Sequence, residues 1–187
     1  MANLYSHQSS NIRKTWFLMF VFLILVIAVG YAISWYMQTP AILYVAVIFA
    51  IGMNFFSYWF SDKIVIKMSR AVPVSPQDNR ELWNIVENLS ITAGLPMPKL
   101  YVINDPAPNA FATGRSPKHS AVAVTTGLLQ ILNKTELEGV IAHELSHVGN
   151  RDILVATIAV TLAGFIAILA DMSFRMTYLK GDNRDSK

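Results

Sequence analysis

Two long apolar runs open the chain, Thr15 to Met37 and Ala41 to Phe60, with only Gln38-Thr39-Pro40 between them. No Asp, Glu, Lys or Arg occurs from Thr15 to Ser61. At about 1.5 Å per residue, each run is long enough as a helix to cross a hydrocarbon layer of about 30 Å. The break has the chemistry of a tight turn, so the pattern predicts a transmembrane helical hairpin at 15–61, after a polar head at 1–14. A secretory leader fits less well. The first run is too long, no small-residue cleavage site follows it, and Trp35-Tyr36 sit where an interfacial aromatic anchor belongs.

The pattern then changes. Val72-Pro73-Val74-Ser75-Pro76 marks the passage into a polar domain, taken as 62–152. Ser75 as N-cap, Pro76 at the first helical position and Asp78 in the first turn predict a helix. Its apolar face is Leu82, Trp83, Ile85, Val86 and Leu89, and Gly94 is its stop. Three strand-like pieces follow at Leu100–Ile103, Ala110–Thr113 and Ser120–Thr125, with turn chemistry at Gly114–Lys118. A further helix is predicted from Thr135, capped by a Thr135-x-x-Glu138 box, with Leu137, Val140 and Ile141 as its apolar stripe. A third apolar run, Ile153 to Ala170, is at the short end for a membrane span, and a polar tail occupies 171–187. The small polar domain offers little core in which to bury that run, which favours a membrane helix. The expected fold class is an α+β membrane protein: a helical hairpin, a small helix–sheet–helix domain and a third apolar helix.

Composition agrees with this division. The chain is 53% hydrophobic and 14% charged, with a mean hydropathy of +0.41; ordinary soluble domains carry about 25% charge. The net charge is +3. Many cations flank the apolar runs, at Arg13, Lys14, Lys63, Lys67 and Arg70. That distribution suits membrane topology and anionic headgroups and gives nucleic-acid binding no support. Cations lie at the outer ends of the hairpin and not in its turn, so both ends are expected in the cytoplasm. With no cysteine, disulfides, thiolate metal sites and cysteine nucleophiles are excluded. The membrane runs hold no ionisable residue, which weakens a transporter reading.

The chemistry-bearing stretch is His143-Glu144-Leu145-Ser146-His147. Histidines four apart on a helix project from one face and can share one metal ion. Glu144, next to the first histidine, can reach a water on that metal without ligating it, and then acts as general base and proton donor. A pair of exposed structural histidines is the competing reading. Other divalent metals also accept imidazole and carboxylate donors.

His143 through Asp152 resembles the active-site helix of the HtpX-type membrane zinc metalloproteases, relatives of the type I CAAX prenyl protease. Pro108 to Gly114, Pro117-Lys118-His119 and Ala121 to Leu129 resemble the same family, as does the paired amino-terminal hairpin. The resemblance implies a gluzincin endopeptidase in the inner cell membrane, its catalytic domain facing the cytoplasm, cleaving misfolded or damaged membrane proteins. It implies one zinc ion per subunit on His143 and His147, with Glu144 as base. It also implies that Asn109, Ala110, Phe111 and Ala112 begin an edge strand along which substrate pairs; an ordinary edge strand without ligand is the alternative. Asp152 matches a family position. Were the helix to continue, it would lie about 140° round from His147, poorly placed as a ligand, so a supporting role outside the metal's own ligands is expected.

A catalytic zinc site wants a third protein ligand. In the family it is a glutamate in a Glu-x-x-x-Asp segment beyond a further membrane helix; this chain has no Glu or His after His147. The chain therefore reads as the amino-terminal part of such an enzyme. The alternative is an inactive or non-enzymatic membrane protein holding zinc weakly through two histidines. Topology carries one tension: if 153–170 spans, Arg175, Lys180, Arg184 and Lys187 emerge on the far side.

Overall fold

The computed structural model describes the backbone of residues 4–182 and the side chains of residues 8–60 and 62–167. Helix α1 (Leu4–Tyr36) and helix α2 (Ala41–Met68) form an antiparallel hairpin. Phe17, Phe20, Tyr44 and Ile48 stand exposed on it. An apolar surface of this extent is what a lipid-facing helix presents. Among the described residues, two helices are long and apolar enough to cross a membrane, and the bent pair that follows counts as a third if it is one span. A Cβ on Gly30 would run into the Cβ of Ala46, so the glycine permits the close approach of α1 and α2.

Helix α2 does not stop where the apolar run does. It continues through Lys63 and Lys67 to Met68, so the folded domain begins at Val72 and not at residue 62. Strand β1 (Val72–Pro73), at the passage into the polar domain, pairs antiparallel with β2 (Lys99–Ile103). Helix α3 (Arg80–Thr92) is capped by Asn79, whose side chain accepts from Leu82 N. The expected Ser75 cap is corrected: Asp78 accepts from both the backbone N–H and the hydroxyl of Ser75, closing a turn one residue before Asn79. That turn holds the Asp78 carboxyl below its ordinary pKa, first through the Ser75 hydroxyl and then through the Ser75 N–H.

The sheet has the order β1-β2-β4-β3, with β3 (Ala110–Ser116) at one edge and β4 (His119–Thr125) between β2 and β3. β2 and β4 run parallel, while β3 and β4 form a hairpin irregular at Gly114 to Ser116. Gly114 has φ +140°, and a Cβ there would strike the His119 carbonyl, so only glycine fits. Alternation divides the sheet. Leu100, Val122 and Val124 join Leu82, Val86, Ile141 and Leu145 in the domain core against α3 and α5 (Lys134–Asn150). Lys99, Tyr101 and Ala121 point to the other face, towards α2.

A short helix α4 (Thr126–Ile131) leads into α5. The third apolar segment forms α6 (Asp152–Asp182), longer than the predicted 153–170 and absorbing the predicted polar tail to Asp182; residues 183–187 lie outside the described residues. Leu154, Ile158 and Leu162 recur every four residues on α6 and pack with Met19 and Phe22 of α1. α6 is thereby the third member of the helical bundle formed with the hairpin.

Candidate active site

Helix α5 is fixed at both ends and along one side. At its start Asn133 accepts from Glu136 N while the Glu136 carboxylate accepts from Asn133 N, a reciprocal box. The predicted box at Thr135 and Glu138 is corrected; Glu138 instead lies 4.0 Å from Lys134 on the exposed face. Leu137, Ile141, Leu145 and Val148 bury the opposite stripe. At the far end, Gln8 and Asn11 of α1 donate side-chain N–H groups to the carbonyls of Gly149 (2.7 Å) and Asn150 (3.2 Å). Those carbonyls have no helical partner, so the amides of α1 take the place of a C-cap.

The histidines project from the side of α5 left open by this packing. His143 Nε2 and His147 Nε2 are 3.1 Å apart, and the rings meet edge to face. Two imidazole nitrogens on a tetrahedral zinc, at bonds of about 2.0–2.1 Å, stand about 3.3 Å apart. The pair therefore fits a shared metal. Glu144 is half-buried, and its Oε2 accepts from Ala112 N at 2.9 Å. One carboxylate oxygen is thus tied to the edge strand, leaving Oε1 for chemistry. A cleft of about 330 Å³ is lined by Glu144, His147, Asp152, Phe111, Ala112 and Ile153.

Asp152 enters through a break in the helix. Arg151 adopts a left-handed conformation, φ 57° and ψ 21°, and α5 meets the start of α6 at 88°. Asp152 therefore does not continue round the α5 cylinder as a straight helix would carry it. It folds back, and its Oδ2 lies 2.8 Å from His147 Nδ1. A carboxylate can only accept, so Nδ1 carries the proton and the Nε2 lone pair faces His143. The break is braced by Thr157 of α6, whose hydroxyl is 3.0 Å from that of Thr113 on β3.

The residues singled out from the sequence thus divide. His143, Glu144, His147 and Asp152 come together. Asn109 lies immediately before β3; Ala110, Phe111 and Ala112 open that edge strand beside α5. Ala110 and Ala112 alternate with the residues bonded to β4, so their backbone groups face the free edge. The tie between Ala112 N and Glu144 was not foreseen, nor were Gln8, Asn11 and Asn133. Asn133-x-x-Glu136 was readable as a box; the α1 contacts cross 139 to 141 residues and leave no local pattern. Among the described residues, no third His, Cys, Asp or Glu joins the two histidines in a metal-binding group.

Residues 76–183 match the family model described as Peptidase family M48. The chain is similar to a Protease HtpX homolog of Desulfatibacillum aliphaticivorans, 62% identical over 68% of this chain and 41% of that protein. A Protease HtpX homolog of Caldanaerobacter subterraneus subsp. tengcongensis is 45% identical over 98% of this chain and 62% of its own length. One of Campylobacter curvus is 51% identical over 95% and 60% respectively. The chain spans at most about three-fifths of the length of these relatives.

Proposed function

The chain belongs to peptidase family M48 and is of HtpX type, and from that premise we propose that it carries the histidine-bearing part of a zinc-dependent endopeptidase of the inner cell membrane, acting from the cytoplasmic face on misfolded or damaged membrane proteins. The observation that carries this reading is the convergence of His143 Nε2 and His147 Nε2, with Glu144 beside them and Asp152 behind. His143 and His147 would hold the zinc ion, which supplies Lewis acidity and a more acidic water when bound.

The chain's own residues account for the remaining steps. Asp152 holds His147 in the tautomer that offers Nε2 outward. Glu144, steadied by Ala112 N, takes a proton from the attacking water and returns it to the leaving amine nitrogen. An extended substrate adds to the free edge of β3 through the outward backbone groups of Ala110 and Ala112, with Asn109 and Phe111 flanking them. Since Ala112 N already donates to Glu144, strand addition there is coupled to the position of the general base.

Membranes containing the protein should cleave an unfolded reporter polypeptide, and both chelation and Glu144→Gln should abolish cleavage. Cleavage that survives Glu144→Gln would remove the reading. The two-imidazole donor set among the described residues favours a second reading for the 187-residue polypeptide by itself: weak zinc binding and little proteolysis. Robust, Glu144-dependent cleavage by that purified polypeptide would sink the second reading.

A further inference from the structure

A second cavity, of about 720 Å³, lies between the end of α2 and the sheet face turned towards it. It shares no lining residue with the catalytic cleft. Its volume falls within the range of small-ligand sites, about 300–1,000 Å³. One wall is apolar and aromatic: Phe55, Trp59, Phe60 and Ile66 of α2. Lys63, Lys99, Arg115 and Lys118 line it from three separate elements and a turn, together with His119. Asp62 is the one carboxylate among the lining residues.

These four permanent cations are not explained by ion pairing. Among the described residues the ion pairs are Lys134 with Glu138 and His147 with Asp152, and neither touches this cavity. Four positive charges around a shared space, against one carboxylate, make a local positive potential that favours an anion. The cavity also sits at a defined level. The apolar run of α2 ends at Phe60, and Lys63 follows within one turn. Arg115 lies over the Trp59 ring, 4.5 Å from its centroid, and donates to the Trp59 carbonyl at 3.2 Å. An interfacial tryptophan thus holds a guanidinium at the boundary between hydrocarbon and water, where lipid phosphates reside.

We infer that this cavity binds the phosphate headgroup of an anionic phospholipid, with the acyl chains against the aromatic wall of α2. Arg115 offers a planar fork for a phosphodiester, while Lys63, Lys99 and Lys118 act as point charges round it. The site joins β2, the β3–β4 turn and α2, so lipid bound there ties the sheet to the hairpin. The inference rests on the membrane placement of α2 and is independent of the peptidase chemistry.

The test is native mass spectrometry of the protein released from nanodiscs of phosphatidylcholine containing a minor fraction of phosphatidylglycerol. The protein should retain phosphatidylglycerol in preference to phosphatidylcholine. Lys99→Gln and Lys118→Gln, both at exposed positions, should each weaken that retention about fivefold, the effect of one juxtamembrane charge of about 1 kcal/mol. Lys134→Gln, a surface cation outside the cavity, should leave it unchanged. Equal retention of the two lipids would overturn the inference, as would a Lys134→Gln loss matching that of Lys99→Gln. Full displacement by inorganic phosphate would assign the pocket to a free anion and overturn the lipid assignment.

Discussion

Replacing Asp152 tests whether the bend after α5 serves the metal or only the fold. The carboxylate accepts one hydrogen bond from His147 Nδ1 at 2.8 Å. A hydrogen bond to a charged group contributes about 1.5–3 kcal/mol when sheltered. The two side chains are 39% and 36% exposed, so solvent screening places the effect at the lower edge, about 1.4 kcal/mol. That corresponds to about tenfold weaker zinc binding, the low end of the about 10- to 100-fold range for residues that orient a metal-bound histidine. Asp152 also opens α6, where an acidic side chain favours the helix N-terminus. Asp152→Asn keeps the shape and an acceptor for Nδ1–H while removing the charge, so it should lose less affinity than Asp152→Ala. The assay is competition for zinc against a chromophoric chelator, alongside thermal unfolding of the metal-free protein. Unchanged zinc affinity in Asp152→Ala, with a lowered unfolding temperature, would refute the argument and leave Asp152 a purely structural helix-starting residue.

Three further outcomes follow from the same geometry. Asn133→Ala should destabilise the folded domain by about 1 kcal/mol in denaturant unfolding, while Thr135→Ala should cost much less, because the box is built on Asn133. Leu145→Ala, at a fully packed position between the histidines, should cost about 2–5 kcal/mol and reduce zinc binding only through unfolding. Ser75→Ala should raise the Asp78 pKa towards its ordinary value, read by carboxyl NMR titration. Because the folded-state pKa is depressed, the stabilising contribution of Asp78 is present above its unfolded pKa and is lost as pH falls through the folded one; the variant should show a smaller acid-side loss, since the N–H of residue 75 still donates to Asp78.

The elements that carry strong periodicity were legible. The two membrane runs, the apolar face of α3 and the three longer strands all rest on patterns of burial that neighbouring residues repeat. Helix ends were less legible, because several polar residues compete for each cap. Ser75 and Asp78 satisfied each other and left Asn79 to the helix; Thr135 yielded to Asn133 two residues earlier. The placement of Asp152 was misjudged in angle because a left-handed Arg151 carries no signature of the kind glycine gives. Where it does lie is against His147 Nδ1, the ring nitrogen turned away from His143. What no local reading reaches is the long-range contact: Ala112 with Glu144 spans 32 residues and Gln8 with Gly149 spans 141.

The contact of Gln8 and Asn11 with the end of α5 sets a height. On the proposed membrane placement, Arg13 and Lys14 would mark where α1 leaves the hydrocarbon, and Gln8 lies six positions before Lys14 on the same helix. At about 1.5 Å per residue, that raises Gln8 by about 9 Å along the helix axis. His147 stands two residues before the carbonyl that Gln8 holds. On that placement the histidines would keep a fixed, shallow distance from the lipid, set by the same helix that enters it. On the proposed peptidase reading, a polypeptide would meet them in a narrow layer near the membrane surface, with the anchoring helix acting as a ruler for where along it contact occurs.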